Sequence, residues 1–180
     1  LSEAGGVIPN QQGNFNKAIF FDGMNDYLRG NIDISPSHYS NLTISIWVKP
    51  STQLDNPANI ISNANSDGDR GIYIQGGTYR VGNGTSMFDT GIPIDTENWT
   101  HLVVTYEQGV SMSFWADGKK VLNTSPLADL TDGFNEIFIG AISPTVGTVQ
   151  DAYKGGIDEL AIWERQLNDD EIRFLYQRGK

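Results

Sequence analysis

The sequence predicts an all-β protein, an antiparallel sandwich or barrel with one short C-terminal helix. Three observations carry that prediction. Many short apolar runs are separated by Gly, Asn and Asp, the spacing of strands and turns. Residues 42–49 alternate strictly, with Leu42, Ile44, Ile46 and Val48 on one face and Thr43, Ser45, Trp47 and Lys49 on the other. That period of two marks a strand with one face in a core. A helical pattern appears only at the end of the chain.

Residues 1–16, with Gly5, Gly6, Pro9 and Gly13, read as an irregular lead-in. Residues 17–21 and 27–30 are short strands flanking a turn at Asp22-Gly23, where glycine supplies the positive φ that tight turns need. A loop with Pro36 precedes the strand 42–49, which Pro50 ends because it lacks an N–H. After the polar loop 51–59 come brief strands at 60–62, 71–75, 78–81 and 86–89. A second long strand follows at 99–106. Residues 111–116 and 119–123 form a hairpin about Asp117-Gly118, and 134–140 and 153–163 complete the strands. Asn168 with Glu171 three residues on has the form of a capping box. Ile172, Leu175 and Tyr176 share one helical face, and Gly179 is placed to stop the helix. Without repeat or linker, residues 1–180 read as one domain.

A chain of 180 residues is long enough to bury a substantial core. Its 22 acidic against 12 basic residues give a net charge of −10, which argues against nucleic acid and anionic lipid as partners. Neutral ligands, cations and divalent metals remain. The absence of cysteine excludes disulfides and thiolate metal sites without naming a compartment. No apolar run approaches membrane-spanning length, so membrane insertion is not expected. Starting at Leu1, the sequence is read as a mature protein or an excised module of a larger chain.

The turn at 22–26 holds more acid than a turn requires: Asp22, Asn25 and Asp26 are three oxygen-bearing side chains in five positions. It is either solvated or holds a cation. Residues 63–68 resemble the start of an EF-hand loop, but the glutamate required at the twelfth position is Ile74, and no helices flank it. Asn65, Asp67 and Asp69 can still line a loop that binds calcium or ligand, but an ordinary polar hairpin loop is the favoured reading. Catalysis has little support. No strand carries carboxylates at alternate positions, Asp158 and Glu159 are adjacent, and no serine sits in Gly-x-Ser-x-Gly. Of the two histidines, His38 and His101, the latter reads as a packed structural residue. For ligand contacts the aromatic and polar residues of interest are Trp47, Tyr73, Tyr79 and Arg80.

These pieces together resemble the laminin-G-like domains of the concanavalin A-like jelly-roll superfamily, especially their bacterial branch. The matching stretches, in family order, are 18–23 with Asp26-Tyr27, 42–50, 99–103 with Thr105-Tyr106, and 116–119. Ile139-Gly140, 155–163 and 165–176 follow. The resemblance implies a two-sheet jelly-roll β-sandwich and a structural calcium (Ca2+) where the acidic turn meets the last strand. On that pattern Asp22, Asn25 and Asp26 share an ion with Asp158. Regular alternation would place Asp158 beside Leu160 and Ile162 on an apolar face, where a carboxylate needs a cation or several donors. The function so implied is a non-catalytic module of a secreted or cell-surface multidomain protein, recognising a glycan or glycoconjugate. The alternative is an adhesion or spacer domain that binds a surface protein.

Overall fold

The computed structural model describes residues 2–52, 56–63, 69–83, 86–124, 135–142 and 148–180. Its strands are β1 (Ser2–Ala4), β2 (Ile8–Gln12), β3 (Lys17–Asp22), β4 (Tyr27–Gly30), β5 (Asn41–Pro50), β6 (Ala58–Ser62) and β7 (Gly71–Gln75). They continue as β8 (Thr78–Gly82), β9 (Met87–Pro93), β10 (Thr100–Glu107), β11 (Ser111–Ala116), β12 (Lys119–Thr124), β13 (Ile137–Ile139) and β14 (Lys154–Trp163), and helix α1 (Asp169–Arg178) ends the chain. One sheet runs β1-β4-β13-β6-β7-β8-β9 and the other β12-β11-β10-β5-β14-β3-β2. Every strand pairing is antiparallel, as a two-sheet sandwich of the jelly-roll kind requires.

The alternation of β5 sets the core. Leu42, Ile44, Ile46 and Val48 are fully buried between the sheets, facing Ile60, Ile72, Ile74 and Val81 of the opposite sheet. The other face of β5 is buried too, which strict alternation does not reveal. Helix α1 lies over it, and Val103, Trp115, Leu167 and Ile172 form a second, smaller cluster beneath the helix. The Thr43 hydroxyl donates to the carbonyl of Arg165 at 2.7 Å and accepts the N–H of Leu167 at 3.0 Å, fastening the segment before the helix. The helix opens on the expected capping box: the Asn168 side chain accepts from Asp170 and Glu171, and Glu171 accepts the Asn168 N–H.

Three expectations are corrected. The lead-in is not irregular throughout, since β1 and β2 are edge strands of the two different sheets. The turn at 22–26 is no hairpin: β3 and β4 belong to opposite sheets, and the turn crosses from one to the other. Phe21 and Leu28, on either side of it, both point into the shared core, which is what a crossover satisfies and a flat hairpin does not. Lastly, β14 does not alternate regularly. Asp158 opposes Trp47 while Ala161 opposes Ser45, so one extra residue bulges out, with Glu159 in the left-handed region at φ 47°.

Candidate ligand-binding cleft

The bulge decides what stands beside Asp158. Asp158 stays on the face of Trp47, and the bulge after it turns Leu160 and Ile162 to the other side, where they pack against the main core. The Asp158 carboxylate accepts the N–H of Phe15 at 2.9 Å and of Glu159 at 2.8 Å. At the other end of β3, Asp26 is buried and accepts the N–H groups of Gly6 and of Asp22. Asp22 in turn accepts the Met24 N–H at 2.7 Å, and Asn25 is exposed.

The shared calcium clasp does not fit this arrangement. Lys154 lies opposite Asp22, so Asp158 stands four residues further along β14, on the order of 13 Å away at the rise of a strand. Both oxygens of Asp26 and both of Asp158 already receive backbone donors. Among the described residues no three His, Asp or Glu side chains stand close enough to hold one ion.

The expected ligand residues are scattered. Tyr79 is wholly inside the sandwich core, where burial pushes its phenol up to about 12. Tyr73 is buried on the outer face of its sheet and donates its hydroxyl to the carbonyl of the buried Asp69. Arg80 stands opposite Tyr73 and is paired with Asp89 at 3.1 Å. Asn65 and Asp67 lie outside the described residues. Trp47, almost fully buried, stacks on His101 at 5.0 Å and on Tyr176 of the helix at 5.9 Å.

Trp47 nevertheless forms part of the floor of a cleft that no single stretch of sequence announces. The cleft, about 520 Å3, is lined by Trp47, Trp99 and Tyr176 together with Asn14, Asp95, Glu97, Asn98, Asp117 and Lys180. Its parts are held rigidly. Asp95 accepts the N–H groups of Glu97 and Asn98 and the Asn98 side-chain amide, which hold its carboxyl below the usual range. That turn presents Trp99, half-buried and resting edge-on against Phe20 at 6.5 Å. The Asp117 carboxylate accepts the His101 N–H at 3.0 Å. Opposite, Asn14 donates to the carbonyl of Gly179 at 2.6 Å, and the Lys180 ammonium sits 4.7 Å over the Tyr176 ring. Gly179 passes so close to the Trp47 ring that a β-carbon there has no space. The lining holds three carboxylates against one ammonium, and its rings and amides suit a neutral polyhydroxylated ligand better than an anion.

A larger cavity of about 670 Å3 lies beside the start of the helix, bordered by Trp163, Leu167, Phe174 and Leu175. Several of its polar groups are already paired: Glu171 with Arg165 and Asn168 of the lining, and Asp170 with Arg173 outside it. The smaller, more polar cleft is therefore the better candidate.

Fold and cleft together define a jelly-roll sandwich of the lectin-like class. Residues 22–173 match the laminin-G model of the concanavalin A-like lectin/glucanases superfamily, and the chain belongs to that family. No curated protein matches the chain in sequence. Among solved structures, one similar fold is domain 4 of AbnA, an extracellular GH43 arabinanase from Geobacillus stearothermophilus, in complex with arabinotriose. It is 22% identical, with a TM-score of 0.72 over 97% of this chain and 82% of that one. The binding domain of botulinum neurotoxin serotype D (16% identical, TM-score 0.73) and that of Paraclostridial Mosquitocidal Protein 1 (18%, 0.74) share the fold over 98% and 96% of this chain. The chain spans 46% of the length of either toxin domain.

Proposed function

We propose that the protein is a non-catalytic module that binds a neutral oligosaccharide in the cleft between Trp99 and Tyr176. The observation that carries the reading is the combination of a half-buried tryptophan platform with fixed carboxylate and amide acceptors around it. Aromatic faces stack on sugar rings, and carboxylates and amides accept and donate to hydroxyls. The reading is consistent with the family and with a fold neighbour that holds arabinotriose. As in that arabinanase, the module would serve as one domain of a larger secreted or surface-attached chain. Among the described residues no helix is long and apolar enough to cross a membrane. The test is titration of the isolated chain with a panel of neutral oligosaccharides, arabinotriose first, followed by calorimetry and amide NMR. Saturable shifts at residues 95–99 and 176–180 support the reading, and a panel without any binder rejects it.

A second reading, recognition of a protein, rests on Phe174, which is 58% exposed at the edge of the apolar cavity beside the helix. A neighbouring fold, the binding domain of botulinum neurotoxin DC, is known in complex with rat synaptotagmin II. Capture of a partner by the chain that Phe174→Ser abolishes and cleft substitutions spare would favour it.

A further inference from the structure

β3 and β14 run side by side only as far as the pair Ile157–Ile19. Beyond that pair β14 bulges, and Glu159 adopts a left-handed φ of 47° that a side-chain-bearing residue takes up only under strain. Bulges and strained residues of this sort gather at functional sites, where surrounding structure maintains them. Here the bulge borders an opening into the sandwich. A cavity of about 220 Å3 lies between the sheets, walled by Ile19, Phe21 and Ile157 of one sheet and by Leu28 and Ile139 of the other, with Leu160 at its side. The exposed Lys17 and Glu159 complete the lining towards solvent.

Close-packed interiors keep few voids larger than a water molecule. A sealed aliphatic cavity of roughly 150 Å3 takes up a benzene-sized guest, and this one, open to solvent on one side, has room for a group of that size. Among the described residues its lining is apolar apart from Lys17 and Glu159 at the entrance and Asp158. Asp158, the remaining polar lining residue, has both oxygens occupied by backbone N–H groups. The opposite charges of Lys17 and Glu159 favour neither an anion nor a cation at the entry. We propose that this intersheet cavity is a binding site for a small uncharged apolar group, an aromatic ring or a short alkyl chain, which enters beside the bulge at Glu159. The site is separate from the cleft at Trp99, and its test is independent of glycan binding.

The experiment uses the whole chain with methyl-labelled isoleucine and leucine, titrated with benzene and with 1-hexanol. The expected result is saturable shifts at Ile19, Ile139, Ile157 and Leu160 while Ile172, under the helix, stays still. Leu160→Trp, from a half-buried wall position, should fill the space and weaken binding at least tenfold without lowering the melting temperature. If that variant does not fold, Ile19→Phe is the second filling substitution. Glu159→Gly, which relaxes the left-handed residue without filling anything, should keep the binding. Shifts that rise linearly without saturating, that spread to Ile172, or that persist in a folded filled variant overturn the proposal.

Discussion

The Asp158 carboxylate and the backbone N–H of Phe15 meet at 2.9 Å across 143 residues of sequence. With the Asp26 carboxylate on Gly6, this ties the N-terminal segment down at two points, one at each end of β3. The two acidic residues act as caps for backbone donors, each in place of water.

Removing such a partner leaves a part-buried N–H without its acceptor. Asp158→Ala should therefore cost on the order of 1–3 kcal/mol in denaturant unfolding, and Asp158→Asn, which retains one acceptor oxygen, less. Gly13→Ala should do similar damage, because a β-carbon there collides with the same carboxylate and with the backbone of residues 17–18. Since the oxygens are committed to N–H groups, chelator and added calcium should leave the melting temperature unchanged. A rise with calcium that Asp158→Ala removes would restore the ion-clasp reading.

Cleft substitutions should separate binding from stability. Loss of a stacked ring is worth about 1 kcal/mol or more beyond its buried area, so Trp99→Ala should weaken oligosaccharide binding by roughly tenfold. Glu97→Gln, at an exposed position, should change affinity with an unaltered melting curve. Calorimetry on the two variants checks both statements.

His101 gives the fold a pH dependence. Its ring is buried in a cluster with Trp47 and Tyr176, with Nε2 2.8 Å from the Ser45 hydroxyl, and burial pulls its pKa down to about 4. The folded state thus favours the neutral ring, while the unfolded chain takes up a proton near 6.5. Stability should be level above about pH 6.5, fall as pH drops towards 4, and level off below it. The loss from this group is on the order of 3 kcal/mol. His101→Gln should flatten that slope in urea unfolding measured from pH 7 to pH 4.

The helix is fastened at both ends, and each end should be separately breakable. Asn168→Ala removes the side-chain oxygen that accepts the N–H groups of Asp170 and Glu171 and should cost about 1 kcal/mol. Gly179→Ala should push the helix end off the Trp47 ring, visible as a loss of the near-ultraviolet tryptophan signal and as weaker binding in the cleft.

Much of the fold was legible because it is written in local patterns. The alternation over β5, the Asp117-Gly118 hairpin with both residues at positive φ, and the capping box at Asn168 and Glu171 all depend on neighbours within a few positions. The family motifs run in order for the same reason. The acidic turn is legible in the same way, whereas the backbone donors that Asp26 takes, from Gly6 and Asp22, are not.

What only the tertiary structure decided is everything that depends on register and crossing. One bulged residue in β14 put Leu160 and Ile162 on the face opposite Asp158, because a single insertion inverts every side chain beyond it. The crossover at 22–26 sent β3 and β4 to different sheets, and put Asp26 against Gly6 rather than against Asp158. The candidate cleft joins Asn14, Trp47, residues 95–100, Asp117 and the last helical turn, segments that no sequence window contains. Composition and periodicity determined the sandwich. Which faces stayed open to a ligand was settled by how the sheets, the bulge and the helix came to lie on one another.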